Sequence, residues 1–72
     1  MVGSVGVLTV ASRGAAGPGE VLLRIRGGTE SFLARSDAPM PVGARVLVVE
    51  VHPHRTVTVV PWSDDMLDPT KT

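Results

Sequence analysis

Apolar positions along the chain fall into five runs rich in Val, Leu and Ile, each cut off by turn-forming residues: Val2 to Ser12, Glu20 to Arg26, Thr29 to Ser36, Arg45 to Val51 and Thr56 to Pro61. No window repeats apolar residues at i, i+3, i+4 and i+7, the spacing by which a helix turns one face to a core. Short β-branched runs between Gly and Pro predict strands instead.

The second and third runs flank Gly27-Gly28, two residues able to take the positive φ of a type I′ hairpin turn. That turn predicts Arg26 facing Thr29, Leu23 facing Phe32, Val21 facing Ala34 and Glu20 facing Arg35. Val21, Leu23, Ile25, Phe32 and Ala34 then share a core face. Glu20, Arg24, Arg26, Ser31 and Arg35 lie outside, with Leu22 and Leu33 as apolar exceptions, and Glu30 sits on the apolar side near a wet rim. For the last two runs, a His52 to Thr56 loop pairs Val51 with Val57, Glu50 with Thr58 and Val49 with Val59. A loop one residue shorter would bury hydroxyls, at about 1 to 3 kcal/mol each if unpartnered. On this register Leu47, Val49 and Val51 face the core, while Val48, Glu50 and Val60 look outward.

Gly3 and Gly6 mark places where the first strand bends or lets another strand come close. The segment "SDAPMPVG" is too short and too rich in proline for a helix. A long bent first strand, a tight hairpin, a crossing connection and a final hairpin predict an all-β, five-stranded Greek-key barrel of the OB kind. It should fill residues 1 to 62, followed by a flexible acidic tail over 63 to 72.

Composition narrows the function. Seventy-two residues make a single small domain, and the absence of cysteine removes disulfides and thiolate metal cages. Net charge is zero: residues 1 to 62 stand at +2, and the tail, with Asp64, Asp65 and Asp68 against Lys71, at −2. Neither value makes the field of a nucleic-acid or membrane-surface binder. No apolar run approaches the roughly 20 residues of a membrane-spanning helix, so the chain reads as soluble in itself.

Candidate chemistry is sparse. His52 and His54 flank Pro53, yet zinc needs three or four ligands, and Glu50 and Asp37 stand at no recognised spacing, so no metal and no cofactor is expected. The four serines lack a nucleophile elbow, neither histidine reaches a serine in the expected pairing, and the paired Asp64 and Asp65 lie in the tail; an enzyme and a small-molecule substrate are not expected. A single-stranded nucleic-acid-binding OB domain is the alternative reading, but only Phe32 and Trp62 are aromatic, and Glu20 and Glu30 interrupt the stripe of Arg24, Arg26 and Arg35. The remaining candidate is an outer patch of Leu22, Leu33, Val48 and Val60 with Arg24 and Arg35 at its rim, joined by Leu8 and Val10 if the first strand presents them. Such side chains are either the apolar surface that so small a barrel must expose or, if they are contiguous over several hundred Å², a partner-binding or self-association surface.

The order of these segments resembles the C-terminal soluble domain of NfeD-like proteins. The resemblance is carried by "VGSVGVLTVASR", with Gly3, Gly6 and Val7 opening the first strand, by Gly19 starting the second, by "ARSDAPMPVGARVLVVEV", and by Val59-Val60-Pro61 closing the last hairpin. One departure is that Arg13 is followed by "GAAGPG" rather than directly by proline, which lengthens the Gly14 to Gly19 loop. The resemblance implies an OB barrel without catalysis and a stomatin- or flotillin-like membrane partner, or a homo-oligomer. It also implies membrane association through upstream helices or through that partner, on the cytoplasmic side.

Overall fold

A computed structural model describes residues 1–62; the acidic tail expected at 63–72 lies outside the described residues. Among the described residues seven strands form: β1 Val5–Val10, β2 Ser12–Arg13, β3 Gly19–Ile25, β4 Gly28–Arg35, β5 Pro39–Met40, β6 Arg45–His52 and β7 Thr56–Pro61. Five of them close a barrel in the order β1-β3-β4-β7-β6, and β2 pairs with β5 as a short ribbon at its side. The all-β barrel read from the sequence is therefore the fold. The first run, expected as one strand, is instead split between barrel and ribbon, and "SDAPMPVG" supplies the ribbon's other strand.

Closure demands close approach. A Cβ on Gly6 would lie 2.6 Å from a Leu23 methyl and 2.7 Å from the Leu22 carbonyl oxygen, so only glycine lets β3 pack this tightly against β1. Leu8, Val21, Leu23, Ala34, Val46, Val48, Val57 and Val59 are essentially sealed from solvent, with Phe32 and Met40 nearly so and Ile25 packed at the margin.

Two expected registers need correction. The β3–β4 turn residues are Arg26 and Gly27, at φ 47° and 82°, and Gly28 is already in the strand opposite Ile25. Val21 consequently faces Phe32 and Leu23 faces Glu30. The difference is two residues, an even number, so the inward face stays as expected; alternation alone cannot separate the two pairings. Glu30 is wet, as foreseen, and Arg55 secures it: the guanidinium donates to its carboxylate at 2.9 Å and to the Ser31 carbonyl, and lies 4.8 Å from the centre of the Phe32 ring.

In β6–β7 the expected pairs Val51–Val57 and Glu50–Thr58 form, but Val48, not Val49, faces Val59, because a bulge inserts Val49 between Val48 and Glu50. Val46 and Val48 are therefore buried, while Val49 and Val51 are partly exposed and Leu47 is half-buried. Val48 thus leaves the expected outer patch. The same holds for Leu8, which is buried, whereas Val10 is exposed.

Candidate docking surface

Sheet pairing determines which outward side chains are neighbours, since directly opposed residues stand about 5 Å apart. On β1 the phase is set by Gly6 and Leu8, which face inward and leave Val5 and Val7 outside. Val7 lies opposite Leu22 on β3, and Val5 lies opposite Leu47 on β6. Leu47 in turn lies opposite Val60 on β7, and Leu33 stands opposite Glu20, diagonal to Leu22. Val60, Leu47, Val5, Val7, Leu22 and Leu33 thus form one continuous apolar belt over four neighbouring strands and a fifth reached by Leu33.

Each member except the half-buried Leu47 is between 37% and 43% exposed, a level at which a side chain neither belongs to the core nor is fully solvated. Among the sequence-predicted residues the belt contains Leu22, Leu33 and Val60. Arg24 and Arg35 flank it as exposed neighbours of Leu22 and Leu33 along their strands. Val5 and Val7 were missed, although Gly6 signals them: a glycine required for close approach must sit on the crowded inner side. Leu47 was missed because the bulge reverses the phase of β6.

A second feature is an open cleft of about 550 Å³ between the Gly14 to Pro18 segment, Arg35–Asp37 and the outer side of β6 and β7. Here His52 Nε2 and Thr58 Oγ1 share a 2.7 Å hydrogen bond, and Glu50 lies 3.6 Å from the same nitrogen. A catalytic relay uses the two ring nitrogens for two different partners. Both partners on Nε2 make a cross-strand polar cluster instead. Among the described residues no group of three or more His, Cys, Asp or Glu side chains is placed to hold a metal ion. Ser12 is buried and accepts from the Gly14 backbone N–H, and the Ser36 hydroxyl donates to the Ala38 carbonyl.

For nucleic acid, the aromatic positions are decisive. Phe32 is in the core beneath Arg55, leaving the half-buried Trp62 just after β7 as the one other Phe, Tyr or Trp in the sequence. Successive base stacking has no row of rings to use. Among the described residues no helix is long and apolar enough to cross a membrane.

The comparisons agree with the barrel. The family described as NfeD C-terminal domain matches residues 5–60. Among solved structures, the soluble domain of the NfeD protein YuaF from Bacillus subtilis is 33% identical, with a TM-score of 0.69 over 82% of this chain and 70% of that one. The C-terminal domain of stomatin operon partner protein 1510-C from Pyrococcus horikoshii is 26% identical, with a TM-score of 0.67 over 89% of this chain and 91% of that one. No curated protein matches.

Proposed function

Because this chain belongs to the NfeD C-terminal domain family, we propose that it is a non-catalytic docking module for a stomatin- or flotillin-type membrane protein. The observation that carries this reading is the continuous outer belt, whose Val and Leu side chains stay partly exposed among the described residues. A structural neighbour called a stomatin operon partner supports the choice of partner.

Binding would work by covering Val5, Val7, Leu22, Leu33, Leu47 and Val60, at about 25 cal/mol for each Å² of apolar surface removed from water. Arg24 and Arg35 at the rim would remain wet and act more on encounter rate and orientation than on affinity. The test is titration of a purified stomatin-type protein from the same source, in detergent, with the wild-type domain and with Leu22→Asp/Val60→Asp. The reading requires wild-type binding and at least a tenfold loss in the variant while its circular dichroism is unchanged. Equal binding by a folded variant would remove this surface from consideration.

A further inference from the structure

Glu20, Leu22 and Arg24 alternate on the outer side of β3, with opposite charges two residues to either side of the apolar centre. At about 3.3 Å per residue the two charges stand roughly 13 Å apart, too far to neutralise each other within one chain. Among the described residues neither side chain makes an ion pair. Val7 lies beside Leu22 on β1, so the centre of the pattern is itself a two-residue apolar row.

We propose that two copies of this chain pair face to face through β1 and β3, about a two-fold axis lying along the Val7–Leu22 row at right angles to the strands. That axis brings Leu22 onto Leu22 and Val7 onto Val7 of the second copy. It also reverses the strand direction of the second sheet, so Glu20 of each copy meets Arg24 of the other. An isologous contact needs a surface complementary to itself, and a negative and a positive group equidistant from an apolar centre meet that need. Two twisted sheets pack about 10 Å apart at roughly 30°, which separates them toward the corners. Arg45, opposite Val7 on β6, continues the same row, so the axis sets the two copies' Arg45 side chains near each other at the outer end of the contact, a like-charge approach that limits its strength.

The belt is small against the roughly 800 Å² per partner of a standard stable interface, so the pair is weak and reversible. It uses the side chains assigned to partner docking and therefore competes with it. This inference rests on the belt as a docking surface, but not on the identity of the membrane partner.

A charge-swap cycle tests it. Sedimentation equilibrium and concentration-dependent amide shifts, followed into the millimolar range, should show self-association of the wild type. Arg24→Glu and Glu20→Arg should each weaken it roughly tenfold or more by setting like charges together. Glu20→Arg/Arg24→Glu should restore it, because the two-fold operation again pairs opposite charges. Should a reversal variant unfold, Glu20→Gln and Arg24→Gln complete the cycle as neutral variants, each expected to weaken association without reversing it. A monomeric wild type over the whole series, or a folded double variant no better than the singles, overturns the proposal. Titrating the same variants with the stomatin-type protein reads the partner claim separately: capture by a monomeric wild type would keep that claim and discard this one.

Discussion

Val48 and Val49 are adjacent, chemically identical and opposite in fate, which makes β6 a direct test of the bulge. Val48 has no exposed surface and packs in the core, whereas Val49 is 38% exposed. Val48→Ala deletes two buried methyl groups, each equivalent to about 0.8 kcal/mol of transfer free energy, and leaves a cavity that closes only in part; the expected loss is about 2 to 3 kcal/mol. Val49→Ala removes half-wet atoms and some strand preference, for less than about 1 kcal/mol. A chain of this length has a stability of roughly 4 to 10 kcal/mol, so the first variant loses a large share of it and the second very little. Urea unfolding should show the Val48→Ala midpoint well below wild type with an unchanged slope. Thermal unfolding should show a drop of roughly 10 to 20 °C, on the scale of 4 to 8 °C per kcal/mol for small domains. Equal losses, or a larger loss for Val49→Ala, would mean that the phase of β6 is the unbulged one and that the outer belt has been drawn through the wrong residues.

Other outcomes follow from single contacts. Gly6→Ala should destabilise by about 1 to 3 kcal/mol, because its Cβ meets the Leu22 carbonyl and the Leu23 side chain and the backbone of β3 must shift; chemical denaturation measures it. Arg26→Gly should stabilise by about 0.5 to 1 kcal/mol, since the residue occupies the left-handed region at φ 47°, and a lower melting temperature would contradict the Arg26-Gly27 turn. Arg55→Ala should lower the melting temperature by several degrees through loss of its contacts with Glu30, Ser31 and Phe32. Lysine at that position should recover only part of the loss, because one ammonium cannot replace a planar guanidinium that both pairs and stacks.

The barrel was legible because short Val-rich runs between Gly and Pro leave few other folds open to so short a chain. The β3–β4 core face was legible for a stronger reason: alternation in "VLLRI" and "SFLAR" survives any even slip of register. Alternation fails in "VLVV", where every position is apolar and either phase satisfies the core. There only the ladders to β1 and β7 decide, and they place the bulge at Val49, which moves Val48 inward and brings Leu47 out beside Val5 and Val60. Gly6, read as a place of bending or close approach, is one of close approach, and its corollary, that Val5 and Val7 point outward, was available from that glycine but not drawn. Half of the belt was thus visible in Leu22, Leu33 and Val60, and Leu47 depended on a pairing that local pattern does not encode.

Docking of a membrane partner on the outer belt can be read residue by residue. Amide and methyl chemical-shift mapping of the isotope-labelled domain during titration with an unlabelled stomatin-type protein tests it most directly. Perturbations should concentrate at Val5, Val7, Leu22, Leu33, Leu47 and Val60, with the amides of the Arg35 to Asp37 cleft unchanged. Perturbations confined to that cleft, around Glu50, His52 and Thr58, or no perturbation at saturating partner, would contradict it.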